Sequence, residues 1–328
     1  MVILGGCLII GGVWMTVGLI SPGENYYSAA EEGKKDEEKP PVKGGDEAAQ
    51  KVLDNMTVAR KLDLTTMARL NKEEVLVLGA KEGDPDIAGH QYFDKVQQVL
   101  DALKLPYTPV TSKDLETWDF KKVAALLCNC LVTDISTKAV NNIKDFMSKG
   151  GYLFTTDWCV DTITCKVAPG YIKGIMANQS KTTLSVKPFE KNKNHIFLRD
   201  VFPKEVTKLP WLLDTGCKTF RIERPADVTA LVIGPEEMKK NYRENIIAVT
   251  WTYEGGGYNP SFAGYQGDSG DYVKRRFKQG VVLHVVSHFY MQDLGLKDVN
   301  GNSSMYQLIA NFLIDAKLAK LYREKGKK

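Results

Sequence analysis

The sequence lacks the cysteine and histidine spacings from which structural metal sites and disulfide frameworks are built. Its 328 residues include six cysteines and four histidines, with no Cys-x-x-Cys pair and no His-Glu-x-x-His motif. Zinc sites usually draw on such closely spaced ligands, so the sequence predicts no metal site. The Gly-Lys-Ser/Thr ending of a phosphate-binding loop is also missing, and we predict no cofactor.

A strong net charge is lacking as well. The chain carries 44 basic and 40 acidic residues, a formal net charge of +4. Residues 317–328 contain six of the basic residues and one acidic residue, so the rest of the chain is nearly neutral. Nucleic-acid-binding domains need a basic face, and we therefore expect no nucleic-acid partner. The basic tail itself is typical of a solvated helix end, with a phosphate- or lipid-binding patch as the alternative.

Charge is absent altogether from residues 2–20, an apolar run of 19 residues. A helix of this length is just long enough to cross a bilayer, and membranes tolerate its Gly-Gly pairs. The run predicts a single-pass N-terminal transmembrane helix within residues 1–23 and a membrane localisation, with the side of the membrane open. The alternatives are a buried core helix, or a signal peptide or lipoprotein signal, although the positive n-region of a signal peptide is missing.

The composition then changes twice along the chain. Residues 24–46 mix charges of both signs with Pro-Pro and Gly-Gly pairs and show no apolar period, so they cannot bury enough surface to order themselves. Residues 47–73 have apolar positions at helical spacing. We predict a disordered linker at residues 24–46, a helical lead-in at 47–73 and an α/β domain at 74–328.

Strand and helix patterns alternate at the start of this domain. Residues 75–79 and 123–130 are apolar runs typical of buried parallel strands. The pattern of residues 136–156 predicts a capped helix that ends at a Gly-Gly pair and is followed by a β-strand. This alternation predicts a mostly parallel sheet covered on both faces. Further strands are predicted at residues 105–110, 182–188, 218–222, 228–233, 246–253 and 280–287, a helix opening at residue 90, and a last helix at 303–324.

Cys159 and His288 each follow a predicted strand, at the carboxyl edge where open α/β sheets bind ligands. A thiol becomes a nucleophile when a base or a helix amino terminus stabilises its thiolate. His288 could be that base, with Asp157 among the carboxylates that could orient it. The alternative is that Cys159 is a small core residue beside Trp158 and His288 a buried, hydrogen-bonded histidine.

Two other residues mark a candidate ligand site at the same edge. His90 and Asp84 lie at the mouth of the first strand, and with Trp158 they could bind a ligand; a solvated histidine at a helix start is the alternative. Residues 254–272 are rich in Gly, Tyr and Asp and have no periodicity, so they form either a functional loop or a hairpin tip.

The remaining cysteines are more simply explained by packing. Cys128 and Cys130 lie two residues apart on one predicted strand, point to the same face and cannot easily bond each other. We expect them and Cys217 to be buried free thiols. A disulfide between Cys159 and Cys165 is the alternative if the domain lies outside the cytoplasm.

The order of these segments resembles the class I glutamine amidotransferase-like superfamily. The resemblance lies in an apolar first strand ending in Gly79, the strand at 123–130, the helix followed by GGYLFTTD, and a late GVVLHVVSH. It covers roughly residues 74–289. It implies a flavodoxin-like three-layer α/β sandwich with a mostly parallel central sheet.

The resemblance also implies where a catalytic site would lie. The nucleophile of the family would fall near Cys159 and its late histidine on His288. The family's Gly-x-Cys-x-Gly elbow reads Asp-Trp-Cys-Val-Asp at residues 157–161, and Tyr290 stands where the family has a glutamate. We therefore expect a non-catalytic binding or scaffold domain that engages a protein partner or small ligand at the carboxyl ends of its strands. A cysteine-dependent hydrolase or amidotransferase, and a structural subunit of a membrane assembly, are the alternatives.

Overall fold

Eleven strands and eight α-helices run through the residues that the computed structural model describes, which are 43–81, 95–130, 134–177, 181–213, 216–255, 279–286 and 299–326. The strands are β1 (Val75–Leu78), β2 (Thr108–Val110), β3 (Ala125–Cys128), β4 (Tyr152–Thr156), β5 (Ile172–Ala177), β6 (Thr182–Pro188), β7 (Leu209–Leu213), β8 (Lys218–Ile222), β9 (Thr229–Ile233), β10 (Ile246–Thr252) and β11 (Val281–Val285). The helices are α1 (Lys43–Ala59), α2 (Lys61–Met67), α3 (Val96–Ala102), α4 (Ser112–Leu115), α5 (Thr137–Ser148), α6 (Cys165–Val167), α7 (Glu237–Tyr242) and α8 (Val299–Lys325).

The main sheet has nine strands in the order β2-β1-β3-β4-β11-β10-β9-β6-β7. The first five are parallel to their neighbours, and the last four continue the sheet in antiparallel pairs. Numbered along the chain, the parallel strands follow the order 2-1-3-4-5, which is the flavodoxin-like order. The predicted α/β architecture with a parallel sheet is confirmed in this half of the sheet.

The two faces of the sheet pack against different layers. Tyr152 and Phe154 point to one face, where the Tyr152 hydroxyl donates a 2.8 Å hydrogen bond to Asp315 of α8 and the Phe154 ring lies 5.9 Å from that of Phe312. Thr155 points to the opposite face and lies 2.8 Å from Thr164. That face is also covered by the small antiparallel sheet of β5 and β8.

The helix and strand predicted at residues 136–156 are confirmed. The Ser136 hydroxyl accepts a 3.2 Å hydrogen bond from the backbone N–H of Ala139 and so caps α5. Gly150 follows the helix with a φ of +89°, the left-handed conformation that favours glycine. The whole of β4 is buried between its neighbours.

The strands β5 and β7 and the short helices α4, α6 and α7 were missed from the sequence. Gly174 interrupts β5 and Pro210 lies inside β7, and both residues weaken a strand pattern. Six-residue α7 is too short to show a helical period. β2 begins only at Thr108, because Pro106 lies between it and the apolar Leu105.

The first two lysines of the basic tail are not solvated as the sequence predicts, whereas residues 324–326 at the end of α8 are exposed. The side chains of Lys317 and Lys320 are 6% and 11% exposed, and both contact the buried carboxylate of Glu74 just before β1. Lys320 also pairs with Glu324 at 2.6 Å. The correction arises because α1 and α2 pack on α8, which is therefore buried on nearly all sides between them and the sheet.

The predicted membrane anchor lies outside the described residues, as does most of the predicted linker. Within the described ranges, no helix is long and apolar enough to cross a membrane.

Candidate functional site

The turn that follows β4 begins with Asp157, whose backbone φ is +46°. Such a value is uncommon for a non-glycine residue, and buried hydrogen bonds hold it here. The Asp157 carboxylate accepts hydrogen bonds from the backbone N–H of Lys218 and from the thiol of Cys130, at 3.4 Å from the latter. In a nucleophile elbow, the strained residue that directly follows the strand is the nucleophile. Asp157 takes this position, and Cys159 lies two residues beyond it.

Cys159 lies inside the core. It is fully buried and has ordinary right-handed angles, with φ −57° and ψ −16°. Its Sγ donates a 3.0 Å hydrogen bond to the backbone carbonyl of Asn129. The thiol is therefore enclosed in the core and hydrogen-bonded there. A π-helical turn, Val160–Thr164, follows it.

Asn129 links the ends of three elements at this edge, and no pattern in the sequence singles it out. Its side-chain Oδ1 accepts a 2.9 Å bond from the backbone N–H of Val96, the first residue of α3. Its Nδ2 donates to the carbonyl of Gly79 after β1, at 3.1 Å, and to Gln97, at 2.8 Å. With its own carbonyl bonded to Cys159, Asn129 fixes the carboxyl ends of β1, β3 and β4 together.

Trp158, Lys218 and Asp161 form a partly exposed corner at the same edge. The Trp158 indole N–H donates a 2.7 Å bond to the Gly216 carbonyl, and the Lys218 ammonium lies 4.6 Å from the indole ring. Lys218 also pairs with Asp161 at 2.9 Å, and the Asp161 side chain is 42% exposed. An indole, a cation and a carboxylate therefore meet solvent together, next to the buried thiol.

His284 is a second residue that the sequence patterns did not reveal. It lies within β11, is fully buried, and its Nδ1 is 2.9 Å from the Thr155 hydroxyl, which also contacts Thr164. Its Nε2 has no hydrogen-bond partner among the described residues, and its ring packs edge-on against Phe220. Burial lowers the pKa of His284 from 6.5 to about 3. A polar residue in the apolar run GVVLHVV was the only signal.

Acidification is expected to destabilise the fold through His284. Its folded-state pKa of about 3 lies below the ordinary value of 6.5. Between these values only the unfolded chain takes up the proton, so stability falls as the pH falls, by about 2 kcal/mol at about pH 5. Urea unfolding of the wild type and of His284→Gln, each at neutral pH and at about pH 5, measures this loss of stability. An unchanged pH dependence in the variant would contradict the assignment.

The other predicted site residues, His288, His90 and Asp84, lie outside the described residues. Their proposed roles therefore stay predictions, as does the pairing of Cys159 with His288. All five cysteines in the described ranges are free thiols, and Cys128, Cys130 and Cys217 are buried as expected. The same ranges hold no group of three or more His, Cys, Asp or Glu side chains arranged to bind a metal ion.

Comparison with known proteins finds likeness in structure alone. No protein family and no curated protein sequence matches the chain. PurLQS from Thermotoga maritima is 11% identical with a TM-score of 0.45, over 74% of this chain and 98% of that one. A protein described as a GMP synthase subunit, from Thermoplasma acidophilum, is 9% identical with a TM-score of 0.42, over 78% and 98%.

A β-galactosidase from Rahnella sp. R3 is 12% identical with a TM-score of 0.44 over 74% of this chain. The chain spans only about a third, 31%, of the length of that enzyme. With every one of these TM-scores below one half, the fold assignment rests on the observed strand order.

Proposed function

We propose that this chain is a non-catalytic α/β binding domain of amidotransferase-like fold, anchored to a membrane by residues 2–20. It binds a protein partner or a small ligand at the carboxyl ends of its parallel strands. The observation that carries the proposal is the burial of Cys159, whose thiol donates to a backbone carbonyl. A catalytic thiol has to reach its substrate, and this arrangement keeps the Cys159 thiol inside the core.

The form of the carboxyl edge supports binding there. β1 pairs with β2 on one side and β3 on the other, and open α/β sheets bind ligands where the strand order reverses in this way. Asn129 makes this point rigid. The corner of Trp158, Lys218 and Asp161 adds an aromatic face and two charges within reach of solvent. Preformed sites combine such a rigid frame with a few polar groups.

Glutamine hydrolysis tests the non-catalytic half of this proposal. Full-length wild type and Cys159→Ser are incubated with glutamine, and ammonia release is measured. We expect no release that depends on Cys159, because its thiol is not exposed to substrate. Release by the wild type that disappears in Cys159→Ser would support the amidotransferase or hydrolase alternative instead.

Site-directed photo-crosslinking tests the binding half. A photoreactive phenylalanine analogue replaces Trp158 in one variant and Lys121 in a control variant. Lys121 is exposed, and because it precedes β3 it lies away from the carboxyl ends of the strands. We expect adducts in membranes of expressing cells at position 158 only. Equal yields at the two positions would contradict a binding site at the carboxyl edge.

A further inference from the structure

One face of the antiparallel half of the main sheet lies open beside the small sheet of β5 and β8. A trough of about 650 Å³ borders β9 on this face. Half-buried apolar side chains contribute to its lining, among them Phe189, Ile222, Ile233 and Ile246. The trough is large enough to accept part of a ligand or of a lipid acyl chain.

A row of residues across three strands joins this trough to Lys187, and a second lysine lies nearby. Ile246 of β10 lies opposite Ile233 of β9, and Ile233 lies opposite Lys187 of β6. Lys208 directly precedes β7, whose first residue, Leu209, lies opposite Val186 of β6, so Lys208 lies near Lys187 at the end of this ladder. Opposite residues in paired strands point to the same face. Both lysines are exposed, and Lys187 points to the same face as Ile233, which lines the trough.

The proximity of these two lysines does not stabilise the fold. Like charges directly opposite each other on a sheet are destabilising. Neither Lys187 nor Lys208 forms a salt bridge with a described residue, and a carboxylate within electrostatic range of Lys187, that of Glu236, is paired with Lys239 at 2.7 Å. An anionic partner would remove the repulsion.

The two lysines belong to a larger basic surface. Residues 181–208 contain six lysines and one arginine against three acidic residues. Glu190 and Asp200 are neutralised by Lys193 and Arg60. The charge summed over the chain conceals this cluster, because acidic residues elsewhere offset it. The six lysines, all exposed, are Lys181, Lys187, Lys191, Lys193, Lys204 and Lys208.

We propose that this face docks on the anionic leaflet of a lipid bilayer. Lys187 and Lys208 contact the headgroup phosphates, and the trough faces the boundary with the acyl chains. Its apolar side chains lie among those of Lys191, Lys239, Glu236 and Glu244. Peripheral membrane surfaces combine basic and apolar groups in this way. A nucleic acid fits less well, because single strands stack on successive aromatic side chains, whereas the lining of the trough contains one, Phe189. The part of the predicted linker that precedes α1, residues 24–42, could span roughly 65 Å when extended, so an anchored domain could present this face to its own membrane.

Hydrogen exchange tests the proposal on the full chain, whether or not its amino terminus enters the bilayer. The protein is mixed with vesicles of phosphatidylcholine alone or with added phosphatidylserine, and exchange is followed in peptides from residues 181–191 and 204–213. We expect protection with phosphatidylserine only, weakened by salt. Lys187→Gln/Lys208→Gln lowers the lipid affinity about 25-fold, since each lysine near an anionic surface contributes about fivefold.

Lys121→Gln/Lys122→Gln is the matched control, because these side chains are also exposed and lie before β3, outside the basic surface. It is expected to keep the protection. Circular dichroism checks that both variants fold. Equal exchange with the two vesicle types, or unchanged protection in Lys187→Gln/Lys208→Gln, overturns the proposal. Protection by an oligonucleotide or by polyglutamate but not by vesicles would overturn it in favour of another acidic partner.

Discussion

Replacing Glu74 by glutamine is expected to lower the free energy of unfolding by about 3–5 kcal/mol, because it leaves the buried ammonium group of Lys317 without its counter-charge and Lys320 with Glu324 alone. Lys317 contacts both carboxylate oxygens of Glu74, and Lys320 contacts one at 3.0 Å. The Glu74 side chain is 4% exposed. Urea unfolding of Glu74→Gln at neutral pH measures the loss.

Glu73→Gln is the control for this variant, since the neighbouring pair of Glu73 with Lys122 is more than half exposed on both sides. Exposed pairs contribute little, so its effect should stay below about 1 kcal/mol. A similar small effect of Glu74→Gln would contradict the view that this cluster holds α8 against the sheet.

The contribution of Glu74 to folding stability depends on pH, and the same cluster of charges explains how. Burial alone would raise the pKa of Glu74, but hydrogen bonds and charges from Lys317 and Lys320 outweigh it and hold the pKa below its ordinary 4.5. The stabilisation is therefore fully present above pH 4.5 and is lost as the pH falls through the lower, folded-state value. Between the two values the wild type should lose more stability on acidification than Glu74→Gln.

Asn129→Ala is expected to destabilise the fold by about 2–4 kcal/mol, because it strips hydrogen bonds from buried backbone groups at two other elements. The N–H of Val96 and the carbonyl of Gly79 both lose a partner. The exchange rate of the Val96 amide should rise together with the loss of global stability.

Asn142→Ala provides the comparison, because the Asn142 amide also bonds two carbonyls, those of Leu115 and Trp118, but away from the carboxyl edge. It should lower stability without specifically speeding exchange at Val96. If Asn129→Ala leaves the Val96 amide as protected as Asn142→Ala does, Asn129 does not organise the edge.

Local patterns in the sequence predicted much of the fold. The cap at Ser136, the stop at Gly150 and the buried β4 follow from residues adjacent in the chain. The strands β6 and β8 were predicted within one residue for the same reason. These elements depend on propensity and period, which a single sequence contains.

The site depends on which strands become neighbours, and a single sequence does not contain this information. Asn129 matters because β1 lies beside β3 and α3 begins above both, so its amide meets partners that lie 33 and 50 positions away along the chain. His284 meets Thr155 across the β11–β4 pair. The predicted solvation of Lys317 was wrong for the same reason, since Glu74 is 243 positions away from it.

The reactivity of Cys159 in the native protein tests the central claim most directly. The full chain is treated with iodoacetamide at neutral pH, and each thiol is quantified by mass spectrometry before and after unfolding in urea. A thiol buried and bonded to the Asn129 carbonyl should stay unmodified in the native state and react only on unfolding, since accessible thiolate is the reactive form. Rapid native labelling at Cys159, faster than at the half-buried Cys165, would contradict a non-catalytic carboxyl edge and indicate an activated nucleophile.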